Sequence, residues 1–436
     1  MKLKPYPAYK DSGVEWLGEV PKHWNLVSCR GFVKERTSKN DDGTNENYLS
    51  LMANIGIIPY AEKGDVGNKK PEDLTKCKLV CKGDFVINSM NYGIGSYGLS
   101  PYDGVCSPVY IVLKPRNEVV ETGFATRVFE NKAFQAYAQS FGNGILEHRA
   151  AINWDILKGI SVGLPPIEEQ SQILTFLDRE TTKLDTLISK QEKLIELLQE
   201  KRQAVISHAV TKGLDPDAKM KDSGVAWLGM VPEHWQMTPM RFVSNLNPPV
   251  SFNEVNEDDE LIFLPMDQIK NGFHLLNRAP LSNLNSSYNT FEKGDILLAK
   301  VTPCFENGNI AIAEGKGFGT SEIFVLRPTS IDSRLFYWYL QSDFFKMDGV
   351  ASMTGAGGLK RVSSDVPQKH HIPKPPMNEQ TTIANYIDQK TNKIDNLIEK
   401  TKRSIELAKE HRTALISAAV TGKIDVRDQV PEVSYA

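Results

Sequence analysis

The sequence has little of what several large classes of protein require. No run of apolar residues approaches the about 18 that a membrane-spanning helix needs, and Met1-Lys2-Leu3-Lys4-Pro5 has no apolar signal segment. The five cysteines are an odd number without C-x-x-C spacing, which argues against a disulfide framework and fits a reducing cytosol. We therefore expect a cytoplasmic protein.

Catalytic and metal-binding patterns are also scarce. The eight histidines are scattered without a metal-ligand spacing, so we expect no metal site. Residues 93–98 have the G-x-G-x-x-G spacing, but the residues after them predict a turn instead of the helix that a dinucleotide requires. Residues 315–319 (Gly-Lys-Gly-Phe-Gly) lie between two predicted strands and favour a hairpin connection. No catalytic constellation emerges.

The charge balance gives no general preference for nucleic acid. Lys and Arg number 51 against 54 Asp and Glu, a formal net charge of −3. A local basic surface is what matters for such binding, so the balance does not exclude it. A chain of 436 residues with 40% hydrophobic residues should form two or more domains with real cores.

One stretch occurs twice. Residues 165–215 return without a gap as residues 375–425, and about half of the paired positions are identical. Each copy opens with two prolines followed by acidic residues, which suits the start of a helix and the positive end of its dipole. Each continues for about 40 residues without Gly or Pro, so at ~1.5 Å per residue we expect two helices of ~60 Å.

Apolar residues in both copies recur with a seven-residue period and predict a seam between the two helices. Because the copies are duplicates, we expect a pseudo-two-fold and hence antiparallel packing. Gln191 and its equivalent Thr401 interrupt the seam, either as tolerated imperfections or as residues that set the register. The predicted seam consists of Leu177, Leu184, Leu187, Leu194, Leu198, Val205, Ile387, Ile394, Leu397, Ile405 and Leu415.

A second, shorter repeat opens each half of the chain. Residues 11–24, with Asp-Ser-Gly-Val-Glu-Trp-Leu-Gly and Val-Pro-Lys-His-Trp, return in closely similar form as residues 222–235. This distance is that of whole domains, far above the period of a solenoid. We interpret the tryptophans of this leader as hydrophobic clamps that hold it against the helices.

The segments between leader and helix, residues 25–163 and 236–373, differ greatly but share a skeleton. Residues 82–87 (Lys-Gly-Asp-Phe-Val-Ile) match residues 293–298 (Lys-Gly-Asp-Ile-Leu-Leu), and both predict a turn followed by a strand. Other shared features are a second strand at 109–115 and 323–328, helical segments near 120–140 and 331–347, and Gly-rich loops at 142–146 and 355–359. Each segment therefore predicts a compact α+β domain.

The expected organisation is a duplication of one arrangement. Its parts are residues 1–163 (leader and first domain), 164–215 (first long helix), 216–373 (leader repeat and second domain), 374–425 (second long helix) and 426–436 (C-terminal tail).

This order resembles the specificity subunits of type I restriction–modification systems. The Pro-Pro-Ile-Glu-Glu-Gln helix start at 165–170 and the leader motif are similar to motifs of that family, and the likeness covers nearly the whole chain up to about Asp425. The resemblance implies an α+β fold with two pseudo-symmetric target-recognition domains, separated by two long helices that form an antiparallel coiled coil. It also implies that each domain binds one half of a split, asymmetric site in double-stranded DNA.

The resemblance further implies partners. These are two methyltransferase (modification) subunits that carry S-adenosylmethionine and methylate adenine, and restriction subunits that translocate DNA with ATP and Mg. The chain itself would need no cofactor and would not be an enzyme. Two recognition domains at the ends of a stiff coil reach half-sites at a fixed separation, so we expect the helices to set the spacer length.

Basic and amide side chains in turns and Gly-rich loops are the types that hold phosphates and contact base edges. The candidates in the first domain are Arg36, Asn91, Tyr92, Arg127 and Arg149. Those in the second domain are Lys270, Asn271, Lys300, Thr302, Lys360 and Arg361.

Two alternative functions stay open at the level of sequence. Asn247-Pro248-Pro249-Val250 resembles the Asn-Pro-Pro-aromatic loop of adenine methyltransferases, although its fourth residue is not aromatic, so the chain could be a methyltransferase with its own recognition domains. The acidic balance alternatively fits a coiled-coil scaffold that does not bind DNA.

Overall fold

The computed structural model describes residues 3–66, 69–142, 151–355 and 358–429, and they form two compact units. Unit 1 consists of Met1–Gln191 and Arg403–Ala436, and unit 2 consists of Glu192–Lys402. The boundary runs through both long helices, so each unit contains one domain and a segment of each helix. The predicted division had treated the helices as separate segments.

Unit 1 is built from short strands and helices around a four-stranded antiparallel sheet. Its strands are β1 (Tyr9–Asp11), β2 (Glu19–Pro21), β3 (Asn25–Ser28), β4 (Val33–Glu35), β5 (Leu49–Met52), β6 (Gly56–Pro59), β7 (Lys78–Val80), β8 (Phe85–Asn88), β9 (Tyr97–Leu99), β10 (Gly104–Cys106), β11 (Tyr110–Pro115) and β12 (Ser161–Leu164). Its helices are α1 (Cys29–Phe32), α2 (Thr122–Glu130), α3 (Lys132–Ser140), α4 (Trp154–Leu157), the first part of α5 (Ile167–Lys212) and the second part of α9 (Met377–Val420).

The sheet of unit 1 has the order β4-β11-β8-β9. β1 pairs with β2, β5 with β6 and β7 with β10, all antiparallel. β3 pairs with β12, which joins the two ends of the domain just before α5 begins. The domain is therefore closed at the point where it meets the long helix.

Unit 2 repeats this plan with a larger second sheet. Its strands are β13 (Met220–Asp222), β14 (Met230–Pro232), β15 (Gln236–Pro239), β16 (Ser244–Leu246), β17 (Glu260–Leu264), β18 (Arg278–Pro280), β19 (Asn289–Phe291), β20 (Ile296–Ala299), β21 (Ile310–Ile312), β22 (Gly317–Gly319), β23 (Ile323–Pro328) and β24 (His371–Lys374). Its helices are α6 (Ser333–Leu340), α7 (Asp343–Ala351), α8 (Val366–Lys369), the second part of α5, and the first part of α9 (Met377–Val420).

The sheet β16-β23-β20-β21 of unit 2 corresponds strand by strand to that of unit 1, and β15 pairs with β24 as β3 does with β12. The predicted strands of both domains are β8, β11, β20 and β23, and the predicted helical segments are α2, α3, α6 and α7. The prediction of an α+β fold with a duplicated plan is confirmed.

The prediction for residues 315–319 is wrong. Gly317–Gly319 is the strand β22, which pairs parallel with β17 and antiparallel with β19 in the sheet β18-β17-β22-β19. A Cβ atom at Gly317 would lie 2.2 Å from the carbonyl oxygen of Ile262. Glycine is therefore needed here for close strand packing, a role that its turn propensity conceals in the sequence.

The two long helices are confirmed, with 46 residues in α5 and 44 in α9. Within unit 1 they run antiparallel, because Asp185 pairs with Arg412 and Gln191 with Ser404. Within unit 2 the equivalent ion pair joins Arg202 to Asp395 at 2.9 Å. Each unit also buries apolar residues of both helices in one core with its domain.

The seam follows alternating steps of four and three residues, as a coiled coil requires. Its buried and half-buried positions are Leu177, Thr181, Leu184, Ile188, Gln191, Ile195, Leu198, Arg202, Val205 and Ala209 in α5, and Ile387, Thr391, Ile394, Ile398, Thr401, Ile405, Ala408, Arg412, Leu415 and Ala419 in α9. Every position in α9 is 210 residues after its equivalent in α5. The period was therefore predicted correctly.

Three predicted seam residues are wrong. Leu187, Leu194 and Leu397 are 44%, 45% and 51% exposed. Each precedes a seam residue by one position, which turns it by about 100° around the helix. At the interruption, the Gln191 amide nitrogen donates to Ser404 Oγ at 2.7 Å, whereas Thr401 bonds to the carbonyl of Leu397 in its own helix.

A carboxylate of the long helix joins the leader to that helix in each unit, and it is buried in unit 1 but half-buried in unit 2. In unit 1, Glu169 accepts hydrogen bonds from the Trp24 indole (2.9 Å) and the Tyr6 hydroxyl (2.7 Å), and lies 2.7 Å from His23 Nε2. The neighbouring Gln170 accepts from the Glu121 backbone N–H and donates to the Pro165 carbonyl. The Glu-Gln pair of the helix start therefore fixes both leader and domain to α5.

Unit 2 has the same joint. Glu379 accepts from the Trp235 indole at 3.0 Å and lies 2.7 Å from His234 Nε2. Gln380 accepts from the Asp332 backbone N–H and donates to the Pro375 carbonyl. The leader tryptophans are clamps, as predicted, but they act through a hydrogen bond as well as through packing.

Candidate nucleic-acid interface

The six candidates of unit 2 come together on one surface. The turn at Lys270 and Asn271 is held against β21, because the Gly272 N–H donates to the Ile310 carbonyl. β21 pairs with β20, which leads directly to Lys300. The backbone of Lys300 bonds to that of Val362, and that of Thr302 to Lys360. The chain therefore brings together three segments that are distant in sequence.

This surface carries several cations. The Arg361 guanidinium forms two 3.1 Å hydrogen bonds to Glu322, and its side chain is 51% exposed. Burial lowers the pKa of the Lys300 ammonium, and the neighbouring Arg361 lowers it further, against a rise caused by Glu322. Lys360 and Asn271 are exposed. The Lys270 ammonium also donates to the Asp267 carbonyl at 2.6 Å. Although Glu322 pairs with Arg361, the four cations outnumber this carboxylate, and such a surface with an exposed amide suits phosphates and base edges.

The equivalent surface of unit 1 differs in chemistry. The turn after β5 holds Asn54 and Ile55, and the Asn54 N–H donates to the Gly95 carbonyl at 2.9 Å. Asn91 lies next to it and lines a pocket of about 220 Å³. Ile55, Met90 and Ile94 are 68%, 50% and 53% exposed. The described part of this surface is therefore formed mainly by amides and aliphatic side chains.

Sequence reasoning missed these aliphatic residues. Asn54 and Ile55 lie at the turn equivalent to Lys270–Phe273, and both turns contain a glycine with φ near +98° (Gly56 at 98°, Gly272 at 97°). The alignment of the two turns was a signal that could have found them. An exposed isoleucine cannot be told from a core isoleucine in a single sequence.

Three candidates of unit 1 have other roles. Tyr92 is fully buried and its hydroxyl donates to the Phe129 carbonyl at 2.6 Å, so its prediction as a DNA contact is wrong. Arg36 forms two hydrogen bonds to the buried Asp84, at 2.6 and 3.0 Å. Arg127 bonds to Glu130 and Asp178, both at 2.8 Å, and so ties α2 to α5.

The guanidinium groups of Arg36 and Arg127 are thus paired with carboxylates inside the protein, and their prediction as DNA contacts stays a prediction. Asp84 has an equivalent in unit 2, where Asp295 accepts two hydrogen bonds from Arg327 at 2.8 and 2.7 Å. The Asp of each Lys-Gly-Asp turn therefore has a structural role. The candidate Arg149 lies outside the described residues.

The methyltransferase-like residues have a structural role too. The Asn247 N–H donates to the Val325 carbonyl at 2.7 Å, and its side-chain oxygen accepts from the Val325 N–H at 2.8 Å. Asn247 therefore ends β16 against β23. In the described part of the chain, no cluster of His, Cys, Asp or Glu has the arrangement of a metal site. None of the helices there combines the length and hydropathy that crossing a bilayer requires.

Comparison with known proteins covers both units. The family model of the type I restriction modification DNA specificity domain matches residues 22–197 and 252–407. The putative MjaX specificity subunit of Methanocaldococcus jannaschii is 24% identical over 94% of this chain and 96% of its own length. The EcoAI specificity subunit of Escherichia coli is 31% identical over 185 residues, which are 40% of this chain and 31% of that protein.

Solved structures share the fold. A chain from a type I R-M system, studied for complex assembly and conformational transition, has a TM-score of 0.71 at 16% identity and matches over 93% of this chain and 99% of its own. The HsdS subunit from Thermoanaerobacter tengcongensis has a TM-score of 0.55 at 17% identity, over 93% and 98%. With both units matched by the family model, the chain belongs to the type I restriction–modification specificity subunits, the non-catalytic components that provide DNA recognition in these systems.

Proposed function

We propose that each unit recognises one half of a bipartite, asymmetric DNA target. The observation that carries this proposal is the contrast between the two equivalent surfaces. Cations and amides lie at Lys270, Asn271, Lys300, Thr302, Lys360 and Arg361 in unit 2, whereas the described residues of the equivalent surface in unit 1 are Asn54, Ile55, Met90, Asn91 and Ile94. Two surfaces at the same place in a duplicated fold, with different chemistry, suit two different half-sites.

An exchange of domains tests this. Residues 25–163 would be replaced by the corresponding domain of another family member, in a complex reconstituted with its modification subunits. We expect the methylated sequence to change in one half-site and to remain unchanged in the other. The reciprocal exchange of residues 236–373 is the matched control and should change the other half. If both halves changed together, the units would not be independent.

We further propose that the paired helices fix the spacer between the half-sites. At ~1.5 Å per residue, α5 and α9 are long enough to span roughly two turns of duplex DNA. Four residues inserted after Glu192 and after Lys402 together would add about one helical turn, ~6 Å, and keep the seam approximately in phase. A base pair rises about 3.4 Å, so the preferred spacer should lengthen by one or two base pairs.

Methylation of duplexes with varied spacers by the reconstituted complex measures this. Inserting into one helix alone is the control, because it misaligns the seam and should reduce activity on every spacer. An unchanged spacer preference, with activity retained after the double insertion, would show that the helices do not set the distance.

The helices are also the proposed docking sites for two modification subunits. Leu187 and Leu407 in unit 1 are 44% and 57% exposed, and their equivalents Leu397 and Leu197 in unit 2 are 51% and 50% exposed. Because Asp185 pairs with Arg412 and Gln191 with Ser404, Leu187 lies level with the turn that holds Leu407. Each unit thus presents an equivalent apolar pair, which suits two copies of one partner.

Replacing Leu187 and Leu407 by serine should leave a complex with one modification subunit, measured by native mass spectrometry. The same change at Leu197 and Leu397 should remove the other copy. Serine at the exposed Glu192 and Lys402 is the control. Retention of both copies in either double-leucine variant would contradict this docking site.

In this proposal the chain works in the cytoplasm and holds no cofactor of its own. S-adenosylmethionine would bind to the modification subunits, and ATP and Mg to restriction subunits that join the complex. Methyl transfer by the purified chain alone would favour the rival methyltransferase. Lack of a footprint on any duplex by the full complex would favour the scaffold without DNA binding.

A further inference from the structure

We propose that unit 1 recognises A·T base pairs through the 5-methyl groups of thymine, which contact a cluster formed by Ile55, Met90 and Ile94. We call this the aliphatic cluster. The inference rests on the proposed function and specifies the kind of half-site that unit 1 takes.

The aliphatic cluster is held in place by the backbone. The turn at Asn54 is fixed to the next turn by the hydrogen bond from its N–H to the Gly95 carbonyl, one residue after Ile94. Asn54 has a left-handed φ of 61°, a conformation that Asn tolerates better than most residues. The Met90 N–H donates to the Asn88 side chain at 3.1 Å. Both turns therefore present their side chains from a defined backbone.

Exposure of these side chains is not explained by packing within the described residues. Each is at least half exposed, while the core of the same domain is filled by buried neighbours such as Tyr92. Single exposed aliphatic residues are ordinary, but three on adjoining turns, at the place where unit 2 carries its candidate DNA contacts, form an apolar patch. Such a patch on a recognition surface implies an apolar group on the ligand.

Duplex DNA offers one such group to a protein in the major groove. Thymine has a 5-methyl group there, and apolar side chains recognise it by contact, whereas guanine is recognised chiefly by Arg or Lys. The amides complete the match, because an Asn side chain can bond to both N6 and N7 of adenine. Asn54 is exposed and Asn91 is half-buried beside the aliphatic cluster.

A cation at the edge of the cluster is already engaged. The Lys132 ammonium donates to the Gly93 carbonyl at 3.2 Å and to Gln135 Oε1 at 3.1 Å, and burial lowers its pKa. Lys132 therefore supports the turn that carries Ile94. Among the described residues of this surface, the exposed side chains are mainly amides and aliphatic groups, which suit A·T pairs.

Deoxyuridine tests the proposal, because it pairs like thymine but lacks the methyl group. The half-site of unit 1 is the one that changes when residues 25–163 are exchanged. Duplexes with deoxyuridine at each thymine of this half-site would be titrated with the complex of chain and modification subunits. Each contacted methyl buries roughly one CH₂ equivalent, so its loss should weaken binding about fourfold.

Variants connect this effect to the cluster. Ile55→Ala together with Ile94→Ala should weaken binding to the thymine duplex and reduce the preference of the complex for thymine over deoxyuridine. The effect of deoxyuridine in the half-site of unit 2 should be the same for this variant as for the unchanged protein. Leu26→Ala is the matched control, since Leu26 is 40% exposed on β3, away from the cluster.

Three results would overturn the inference. If deoxyuridine in this half-site left the binding affinity unchanged, the methyl groups would not be contacted. Loss of a modification subunit from the Ile55/Ile94 variant would show that the cluster docks protein. If binding raised the fluorescence of 2-aminopurine in this half-site and the variant abolished that rise, the cluster would be inserting a side chain between neighbouring base pairs. Failure of the complex to methylate any split target would instead refute the proposed function.

Discussion

Unit 1 and unit 2 use one framework to carry two different surfaces. Both have the leader hairpin, the four-stranded sheet, the buried Asp with its Arg, and the Glu-Gln joint to a long helix. At the equivalent turns, however, unit 1 has Ile55 where unit 2 has Lys270 and Asn271. The framework is maintained by buried hydrogen bonds, which permit few substitutes, whereas exposed turn positions tolerate change.

The contrast also extends to the framework. The side chain of Glu169 is 7% exposed and accepts hydrogen bonds from three donors, including Tyr6. The side chain of Glu379 is 35% exposed and accepts from two donors. Position 370 in unit 2 is a buried His, and its equivalent in unit 1 is Ile160. These differences allow the two units to be perturbed separately.

The largest expected effect tests whether each unit depends on its own buried Asp–Arg ion pair. Arg36→Met should destabilise unit 1 by about 3–5 kcal/mol, because it leaves the buried Asp84 unpaired, and Arg327→Met should do the same to unit 2. Hydrogen exchange of each unit would measure this, with the exposed Arg30→Met as control. A stable Arg36→Met protein with an altered half-site would mean that Arg36 contacts DNA.

The joint should distinguish the two units. Glu169→Ala removes the acceptor of two buried donors, the Trp24 indole and the Tyr6 hydroxyl, and should cost about 2–4 kcal/mol. Glu379→Ala leaves the Trp235 indole and the partly exposed His234 without their acceptor, and it should cost about half as much. Urea unfolding measures both. The exposed Glu168→Ala is the control, and equal losses at Glu169 and Glu379 would contradict the ranking.

Acid should affect unit 2 more than unit 1. Burial lowers the pKa of His370 from 6.5, although its hydrogen bond to Asp348 opposes the shift. The unfolded chain then binds the proton more readily, so unit 2 should lose stability as pH falls below about 6.5. Hydrogen exchange at pH 7.5 and 5.5 measures this, and His370→Ile, which copies unit 1, should abolish the difference. An equal acid response in both units would refute it.

The smallest effect concerns the seam of unit 1. Gln191→Leu removes a side-chain oxygen that is buried without a hydrogen-bond partner, so stability should be unchanged or rise by up to about 1 kcal/mol. If Gln191 sets the register, the variant should also bind spacer lengths less selectively. Thermal unfolding and methylation of spacer variants measure the two effects. A clear loss of stability would show that the bond to Ser404 outweighs the buried oxygen.

Much of the fold could be predicted because its signals are local and occur twice. The 3–4 spacing of apolar residues is a property of consecutive positions, so both long helices and most of the seam were predictable. Leu187 and Leu194 were assigned to the seam wrongly, because a leucine next to a seam position cannot be told from a seam leucine by residue type. The Lys-Gly-Asp turns predicted the right strands, whereas Gly317–Gly319 was mistaken for a turn because its close packing partner is distant in sequence.

The amino-acid sequence by itself determined the duplication, the helices, the α+β class and the family of this protein, since each depends on repeated order along the chain. The tertiary structure alone decided which polar residues are free. Arg36, Arg127 and Tyr92 have side chains typical of DNA contacts, but partners 37 to 51 residues away bury or neutralise them. It also decided that Ile55, Met90 and Ile94 face solvent together, because burial depends on contacts between segments that the sequence keeps apart.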